Sequence, residues 1–187
     1  MLSQDAPADA LLDRDPLALL IAMLLDQQVP MERAFAAPYE LQQRLGHALD
    51  AHELAEYDPE ALADIFARPP ALHRYPKSMA GRVQELSRAL VDRYDGDVTG
   101  LWRDAADARE LLARLVALPG YGQQKAQIFV ALLGKQRGVT PQGWRAAAGS
   151  YGAEGVYRSV ADVTDAESLA KVREYKQQLK AAAKAKK

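Results

Sequence analysis

The hydrophobic positions of this chain recur at helical spacing, and one segment is apolar on every face. Residues 17–25 consist only of Leu, Ala, Ile and Met, directly after Asp15 and Pro16, which suit the N-cap and first turn of a helix. A helix without a polar face is buried on several sides, so the pattern predicts a central core helix. Apolar stripes predict further helices at residues 31–45, 50–57, 58–66, 78–94, 107–118 and 123–133. Because few segments alternate as strands do, we expect an all-α fold.

The pattern becomes less regular after residue 138. Residues 138–157 are rich in glycine and aromatic side chains, which predicts turns and irregular structure. Residues from 165 onward favour a helix by propensity, but residues 171–187 hold seven bases, one acid and little apolar periodicity, so we expect this tail to fray. The predicted organisation is a core over residues 1–140, a divergent segment over residues 141–170 that packs on it, and a flexible basic tail over residues 171–187.

The net charge of -1 hides a strong asymmetry between the two parts of the chain. Residues 1–64 contain 13 acidic and three basic side chains, whereas residues 65–187 contain 12 acidic and 21 basic ones. A basic region favours a polyanionic partner, of which nucleic acid is the usual one. The alternative is a solvated charged surface without a partner.

Cysteine is absent, which excludes disulfides, a thiolate zinc site and a cysteine-held iron–sulfur cluster. The three histidines are widely separated, so no metal site is predicted from side chains. The chain shows no signal-peptide pattern, and its longest apolar run is too short to cross a bilayer. We therefore expect a cytoplasmic, monomeric protein that does not contact membranes and needs no cofactor.

The most distinctive local pattern is Leu118-Pro-Gly-Tyr-Gly-Gln-Gln-Lys-Ala126, which lies between two apolar helical stretches. Gly120 and Gly122 can both take positive φ, so they predict a tight turn that lets another backbone approach closely. The next helix presents unpaired N–H groups and the positive end of its dipole, which together bind anions such as phosphate. Lys125 adds a positive charge nearby. The alternative is an ordinary joint between two helices.

This motif resembles the hairpin of the helix-hairpin-helix glycosylases, the HhH-GPD superfamily of endonuclease III, the adenine glycosylase MutY and the alkyl-base glycosylases. Two further blocks resemble the same family. Residues 16–28 resemble its early core helix, which ends in a Gln-bearing loop, and residues 74–98 resemble its Lys-Ala-rich helix and the following turn. The three blocks occur in the family's order and at about its spacing, over residues 15–140.

The resemblance implies two helical lobes with a cleft between them that faces double-stranded DNA. It places Gln28 where the family fills the gap left by a flipped base; the alternative is a polar residue that simply faces water. It also implies that the hairpin, within residues 111–133, holds a monovalent cation on its carbonyls and contacts DNA through Gly120, Tyr121, Gly122, Gln124 and Lys125.

Two positions depart from the family pattern. The catalytic Asp that follows the hairpin in the family corresponds to Thr140, and the lysine nucleophile of the bifunctional members corresponds to Gln124. Lys125 lies one residue later, about 100° further around the helix. We therefore interpret Lys125 as a phosphate-contacting or surface lysine and expect no lyase activity through a Schiff base.

Another carboxylate would have to stabilise the positive charge that develops on the sugar. Asp26, at the end of the core helix, and Asp162, in the C-terminal region, are the two candidates that we select; Glu32 and Glu154 are weaker ones. For each of them the alternative is a helix cap or a surface charge.

The divergent segment holds aromatic residues that could stack on a base. Trp144 and Tyr151 are candidates for lining a base pocket; alternatively they pack the segment onto the core. Three functions stay open at this point: a monofunctional DNA glycosylase, a non-catalytic protein that binds damaged or distorted DNA, and a helical module for protein partners.

Overall fold

A computed structural model describes residues 1–185 of the chain. Within these residues the chain forms helices and connecting segments without any β-strand, so the predicted all-α fold is confirmed. The α-helices are α1 (Ala6–Arg14), α2 (Pro16–Leu25), α3 (Met31–Leu45), α4 (Ala51–Glu56), α5 (Pro59–Ala67), α6 (Pro76–Tyr94), α7 (Gly100–Arg103), α8 (Ala108–Val116), α9 (Gln123–Gln136), α10 (Trp144–Ala147) and α11 (Ala166–Ala185). Two 3₁₀ turns, Gly149–Gly152 and Val160–Asp162, lie between α10 and α11.

Helix α2 is the centre of the fold, as its uniform hydrophobicity predicts. The carboxylate of Asp15 accepts hydrogen bonds from the N–H groups of Leu17 and Ala18, and Pro16 occupies the first turn. All nine residues from Leu17 to Leu25 are buried. Each fully buried Leu or Ile side chain contributes about 1.5–3 kcal/mol relative to an exposed one, so α2 anchors the helices that surround it.

The helices pack in two groups. In the first, α4 and α5 pack against α6, and α3 packs against α1, α2 and α5. In the second, α8, α10 and both 3₁₀ turns pack against α9. One continuous hydrophobic cluster joins these groups and extends from Leu2 to Val172, so the segment 141–170 shares its core with the rest of the molecule.

The structure differs from the sequence-based expectation at both ends. Residues 6–14 form α1, whose N-terminus is capped by Asp5 and carries Pro7 in its first turn. Helix α11 continues without a break to Ala185, so the segment expected to fray is helical as far as it is described; Lys186 and Lys187 lie outside the described residues. No helix of residues 1–185 has the length and hydrophobicity needed to span a membrane.

Candidate functional site

The hairpin between α8 and α9 is fixed to the core by its first glycine. Gly120 has a φ of +81°, and a Cβ atom at this position would lie 2.3 Å from Cδ1 of Leu24. The Tyr121 N–H closes the turn by donating to the Leu118 carbonyl at 3.1 Å. Gly120 itself is exposed, but a side chain added to it would point at α2, so the positive φ and this close approach both favour glycine.

The second glycine faces outward. Gly122 is exposed, and a Cβ atom there would have no neighbour within 4 Å. Its φ of -79° is not in the left-handed region that the sequence motif suggested. No side chain of the described residues caps α9, so the N–H groups of its first turn have no capping partner there. This end of the hairpin has the geometry of an anion-binding helix N-terminus.

The side chain of Tyr121 belongs to the core rather than to a binding surface. It is 3% exposed, its hydroxyl donates to the Leu20 carbonyl at 2.6 Å, and its ring packs edge-on against Phe129. Burial raises the pKa of the phenol. The prediction that Tyr121 contacts DNA therefore applies at most to its backbone.

Lys125 occupies a place that the sequence interpretation did not anticipate. It is half-buried, and its ammonium group donates to the carbonyls of Met23 and Leu24 at 2.8 and 2.9 Å. Burial lowers the pKa of Lys125 to about 8, although Asp26 nearby opposes this shift. The interpretation of Lys125 as a phosphate-contacting or surface lysine does not fit this placement, because its ammonium group binds the C-terminal carbonyls of α2.

The turn that follows α2 is held from several sides. The Gln27 side chain donates to the Leu24 carbonyl at 2.9 Å and accepts a hydrogen bond from Arg82 at 3.2 Å. The ring of His73 bonds the Gln27 carbonyl through Nε2 at 2.9 Å, while its Nδ1 accepts the N–H of Tyr75 at 3.0 Å. This pattern requires a neutral ring with the proton on Nε2, and burial lowers the pKa of His73 accordingly.

Gln28 is the residue that this rigid turn presents to solvent. It is exposed, and its φ of +57° lies in the left-handed region that non-glycine residues rarely adopt. Such a conformation costs about 1 kcal/mol or more and persists only where the surroundings impose it. The turn therefore fixes the backbone of Gln28 and leaves its side chain exposed to solvent.

Asp26 is the carboxylate at the centre of this arrangement. It follows α2 directly and is half-buried. Burial raises the pKa of its carboxyl group, and the positive charges of Lys176 and Lys125 partly oppose the rise. No hydrogen bond from the described part of the chain compensates this carboxylate, and the helix dipole places further negative potential around it.

Asp162, the other candidate, has an environment of the opposite kind. Its side chain is 4% exposed and lies 2.5 Å from the ammonium group of Lys135. Its carboxylate also accepts hydrogen bonds from the N–H groups of Arg158 and Ser159, and the bond from Ser159 completes a capping box at the 3₁₀ turn Val160–Asp162. The fully paired Asp162 joins the C-terminal segment to α9 and does not line the cavity that contains Asp26.

A cleft of about 750 Å³ opens beside Asp26. Asp26, Gln28 and Glu32 lie on the wall formed by the end of α2 and the start of α3, and residues of α11 form the facing wall. An ion pair between Glu32 and Arg173 joins the two walls. The structure thus brings together the candidate carboxylate and the exposed Gln28, and Lys125 of α9 binds the end of the helix that carries them.

A comparison with protein-family models matches residues 21–187 to the family described as HhH-GPD superfamily base excision DNA repair protein. The chain belongs to the HhH-GPD superfamily. The sequence resemblance is thereby confirmed, and with it membership in a superfamily of DNA-binding, glycosylase-type repair proteins. None of the curated proteins matches the chain.

The residues of the divergent segment lie elsewhere in this HhH-GPD protein. The Trp144 ring covers Gly134 of α9, where a Cβ atom would come within 2.4 Å of it, and Arg145 stacks on the indole at 4.4 Å. The Tyr151 hydroxyl accepts a hydrogen bond from Gln124 at 2.8 Å. Neither Trp144 nor Tyr151 lines the cleft at Asp26, so the structure does not support placing them in a base pocket there.

Two further positions named in the sequence analysis, Thr140 and Glu154, also lie outside the Asp26 cleft. Thr140 is exposed and outside the Asp26 cleft, and Glu154 pairs with Arg145 on the surface. Within residues 1–185 no group of three or more His, Asp or Glu side chains is arranged to hold a metal ion. The hairpin carbonyls are donors of the type that a monovalent cation takes, and the Leu118 carbonyl keeps one lone pair beyond its bond to Tyr121.

Sequence reasoning missed the cationic residues of the cleft. Arg74, Arg173, Lys176 and Lys180 all line it. The spacing of three, four and seven residues in α11 was a usable signal, because it places Arg173, Lys176 and Lys180 on one helix face. Nothing in the sequence indicated that this face would lie opposite Asp26.

Proposed function

We propose that this HhH-GPD protein is a monofunctional DNA glycosylase in which Asp26 supplies the catalytic carboxylate. The observation that carries the proposal is the environment of Asp26: a half-buried carboxylate without a hydrogen-bond donor, in a cleft next to the exposed Gln28. A structural carboxylate would be paired or would cap a helix N-terminus, as Asp162 and Asp15 do. Unpaired carboxylates of this kind occur preferentially at functional sites.

The chemistry requires a negative charge close to the sugar. As the N-glycosidic bond breaks, the departing base takes the electron pair and the sugar becomes an oxocarbenium ion, which water then attacks at the anomeric carbon. The Asp26 carboxylate would stabilise this cation and accept a proton from the water. Lys125 and Lys176 oppose the rise in the pKa of Asp26, which favours its anionic form near neutral pH.

Binding would proceed through the hairpin and the turn after α2. The exposed Gly122 and the uncapped N-terminus of α9 would hold a DNA phosphate, and a monovalent cation on the hairpin carbonyls would add positive charge there. Gln28 would fill the space left by the flipped base. In this proposal the protein acts as a monomer on double-stranded DNA in the cytoplasm.

Lyase activity is not part of the proposal. Gln124 replaces the lysine nucleophile of the bifunctional members, and the ammonium group of Lys125 is engaged by two carbonyls of α2. We therefore expect abasic DNA as the product, without cleavage of the strand.

The experiment that tests the proposal is a lesion panel. Labelled duplexes that carry uracil, hypoxanthine, 8-oxoguanine, alkylated purines or oxidised pyrimidines are incubated with the protein and then treated with hot alkali. We expect strand breaks at one class of lesion after alkali and none before it. Intact duplexes throughout the panel would contradict the proposal.

The role of Gln28 predicts a selective defect. In Gln28→Ala the amide that fills the gap is lost while the backbone contacts of the hairpin stay, so affinity for a duplex with one abasic site should fall about tenfold, which corresponds to about 1.4 kcal/mol. Affinity for the undamaged duplex, measured by fluorescence anisotropy, should hardly change. Equal losses on both duplexes would contradict the gap-filling role.

A second candidate function is supported by Thr140. Because Thr140 stands where the family pattern has its catalytic Asp, the protein could instead recognise damaged or distorted DNA without cleaving it. This alternative predicts tight binding to abasic duplexes together with no product in the lesion panel.

A further inference from the structure

One face of α11 is built from cationic and polar residues that line the cleft. Arg173, Lys176, Gln177 and Lys180 follow each other at the spacing of a single helix face, and all four contribute to the cavity beside Asp26. Lys171 lies five residues before Lys176, about 140° around the helix axis. It faces a different cavity, where its ammonium group stacks on Tyr157 and pairs with Glu167.

The ion pairs of the cleft leave positive charge at its α11 side. Arg173 is neutralised by Glu32, whereas neither Lys176 nor Lys180 forms an ion pair with a described residue. Arg74 adds a further cation to the lining. The cleft therefore contains four cationic side chains against the carboxylates of Asp26 and Glu32, and such an excess favours an anionic ligand.

The dimensions of the cleft suit a nucleotide. Its volume of about 750 Å³ falls in the range of sites that enclose small ligands. A sugar seated at Asp26 would carry a phosphate on either side. Lys176 of α11 lies close enough to Asp26 to lower the pKa of its carboxyl group, and Lys180 lines the same cleft one turn later.

We propose that α11 is a phosphate-binding wall, in which Lys176 and Lys180 bind the DNA phosphates that flank an extrahelical nucleotide in the cleft. The inference rests on the proposed function only in taking this cleft as the nucleotide site. Arg173 has a different task, since its pair with Glu32 holds α11 against the start of α3. In this proposal the C-terminal helix binds the phosphates that flank the nucleotide, and the hairpin binds a different phosphate.

The test compares single-charge variants of the same helix. Lys176→Gln and Lys180→Gln each remove one cation from the wall, and Lys171→Gln is the matched control that removes one from the opposite face. Affinity is measured by fluorescence anisotropy over a range of salt concentrations, for a duplex with one tetrahydrofuran abasic site and for the same duplex intact. Thermal unfolding of each variant verifies that the fold is retained.

We expect Lys176→Gln and Lys180→Gln to weaken binding of the abasic duplex about tenfold and to reduce the salt slope for it by about one. Lys171→Gln should change neither quantity appreciably, and the intact duplex should respond weakly to all three variants. Equal losses for Lys171→Gln and Lys176→Gln, or no loss for the wall variants, would overturn the proposal. These measurements report binding and do not depend on excision. If the wall variants selectively lost affinity for the abasic duplex while the wild type excised no lesion, the glycosylase proposal would be refuted and the phosphate-binding role of α11 would stand.

Discussion

At the C-terminus of α2, Asp26 adds a negative charge where the helix dipole already directs its negative end. The fold compensates this arrangement only in part, through the ammonium groups of Lys125 and Lys176. A neutral side chain of the same size would remove this unfavourable charge, so folding alone gives no reason for a carboxylate here, whereas the proposed catalytic role does.

Asp26→Asn should accordingly stabilise the protein at neutral pH. Because the pKa of Asp26 is raised in the folded state, ionisation of this carboxyl group lowers the free energy of unfolding. This destabilisation is absent below the ordinary carboxyl pKa and complete above the raised pKa. The melting temperature of Asp26→Asn should therefore exceed that of the wild type near neutral pH, and the difference should vanish toward acid pH. Thermal unfolding followed by circular dichroism across the acid range measures both effects.

The control for that measurement is Asp162→Asn, which removes the partner of the largely buried Lys135. Loss of one partner from such a pair costs about 3 kcal/mol, so this variant should melt below the wild type. If Asp26→Asn also melted lower at neutral pH, Asp26 would be a structural residue and the argument for its functional role would fail.

Lys125 offers a direct test of the local electrostatics. Its ammonium group is desolvated against the end of α2, and its pKa is lowered to about 8, whereas solvent-exposed lysines titrate near 10.4. NMR titration of the lysine side-chain carbons should therefore resolve one resonance that titrates near pH 8 and disappears in Lys125→Met. A titration of Lys125 with the other lysines would contradict the inward placement.

At the scale of the elements, the two glycines of the hairpin predict opposite phenotypes. Gly122→Leu adds a side chain in open space at a φ that any residue adopts, so the fold should be retained while binding to all duplexes weakens about tenfold. Gly120→Ala meets Leu24 and carries a positive φ, so it should lower stability by about 1–3 kcal/mol.

Chemical denaturation and duplex binding of the same two variants separate these effects. A selective loss for one lesion in Gly122→Leu would contradict the phosphate-binding role of the hairpin. A melting temperature of Gly120→Ala equal to that of the wild type would contradict its packing against α2.

The elements could be predicted wherever the apolar period was strong. The helices α2, α3, α6, α8 and α9 follow that pattern closely, because burial of one face decides both their position and their extent. Helix α1 was missed although Asp5 and Pro7 provide a start signal. The spacing of Ser159 and Asp162 is that of a capping box, and it could have indicated a structural role for Asp162.

Other features could not be read from local patterns. Lys125 and the Met23 carbonyl that it binds are 102 residues apart. Hydrophobic periodicity predicts on which face of its own helix a side chain lies, but not which distant residue it contacts. The same holds for Trp144, whose slot on α9 exists because Gly134 has no side chain. The glycine within that apolar helix was the one available signal.

For the whole molecule, the structure brings part of the basic C-terminal region close to the acidic end of α2. The basic C-terminal region does not form a detached tail in the described residues, since α11 lies across from the acidic end of α2 and contributes cations to the same cleft. The Gln28 turn and α11 thus line the cleft of one carboxylate, and Lys125 of α9 lies close enough to lower its pKa. Membership in the HhH-GPD superfamily establishes the DNA-repair context, and the environment of Asp26 carries the specific proposal.

The most direct test of that proposal is single-turnover excision by the wild type and by Asp26→Asn, on the lesion that the wild type cleaves. We predict that Asp26→Asn loses excision at least about hundredfold, as expected when a group that stabilises transition-state charge is removed. Its affinity for an abasic duplex should be retained. Excision by Asp26→Asn at the wild-type rate would contradict the assignment of the catalytic carboxylate to Asp26.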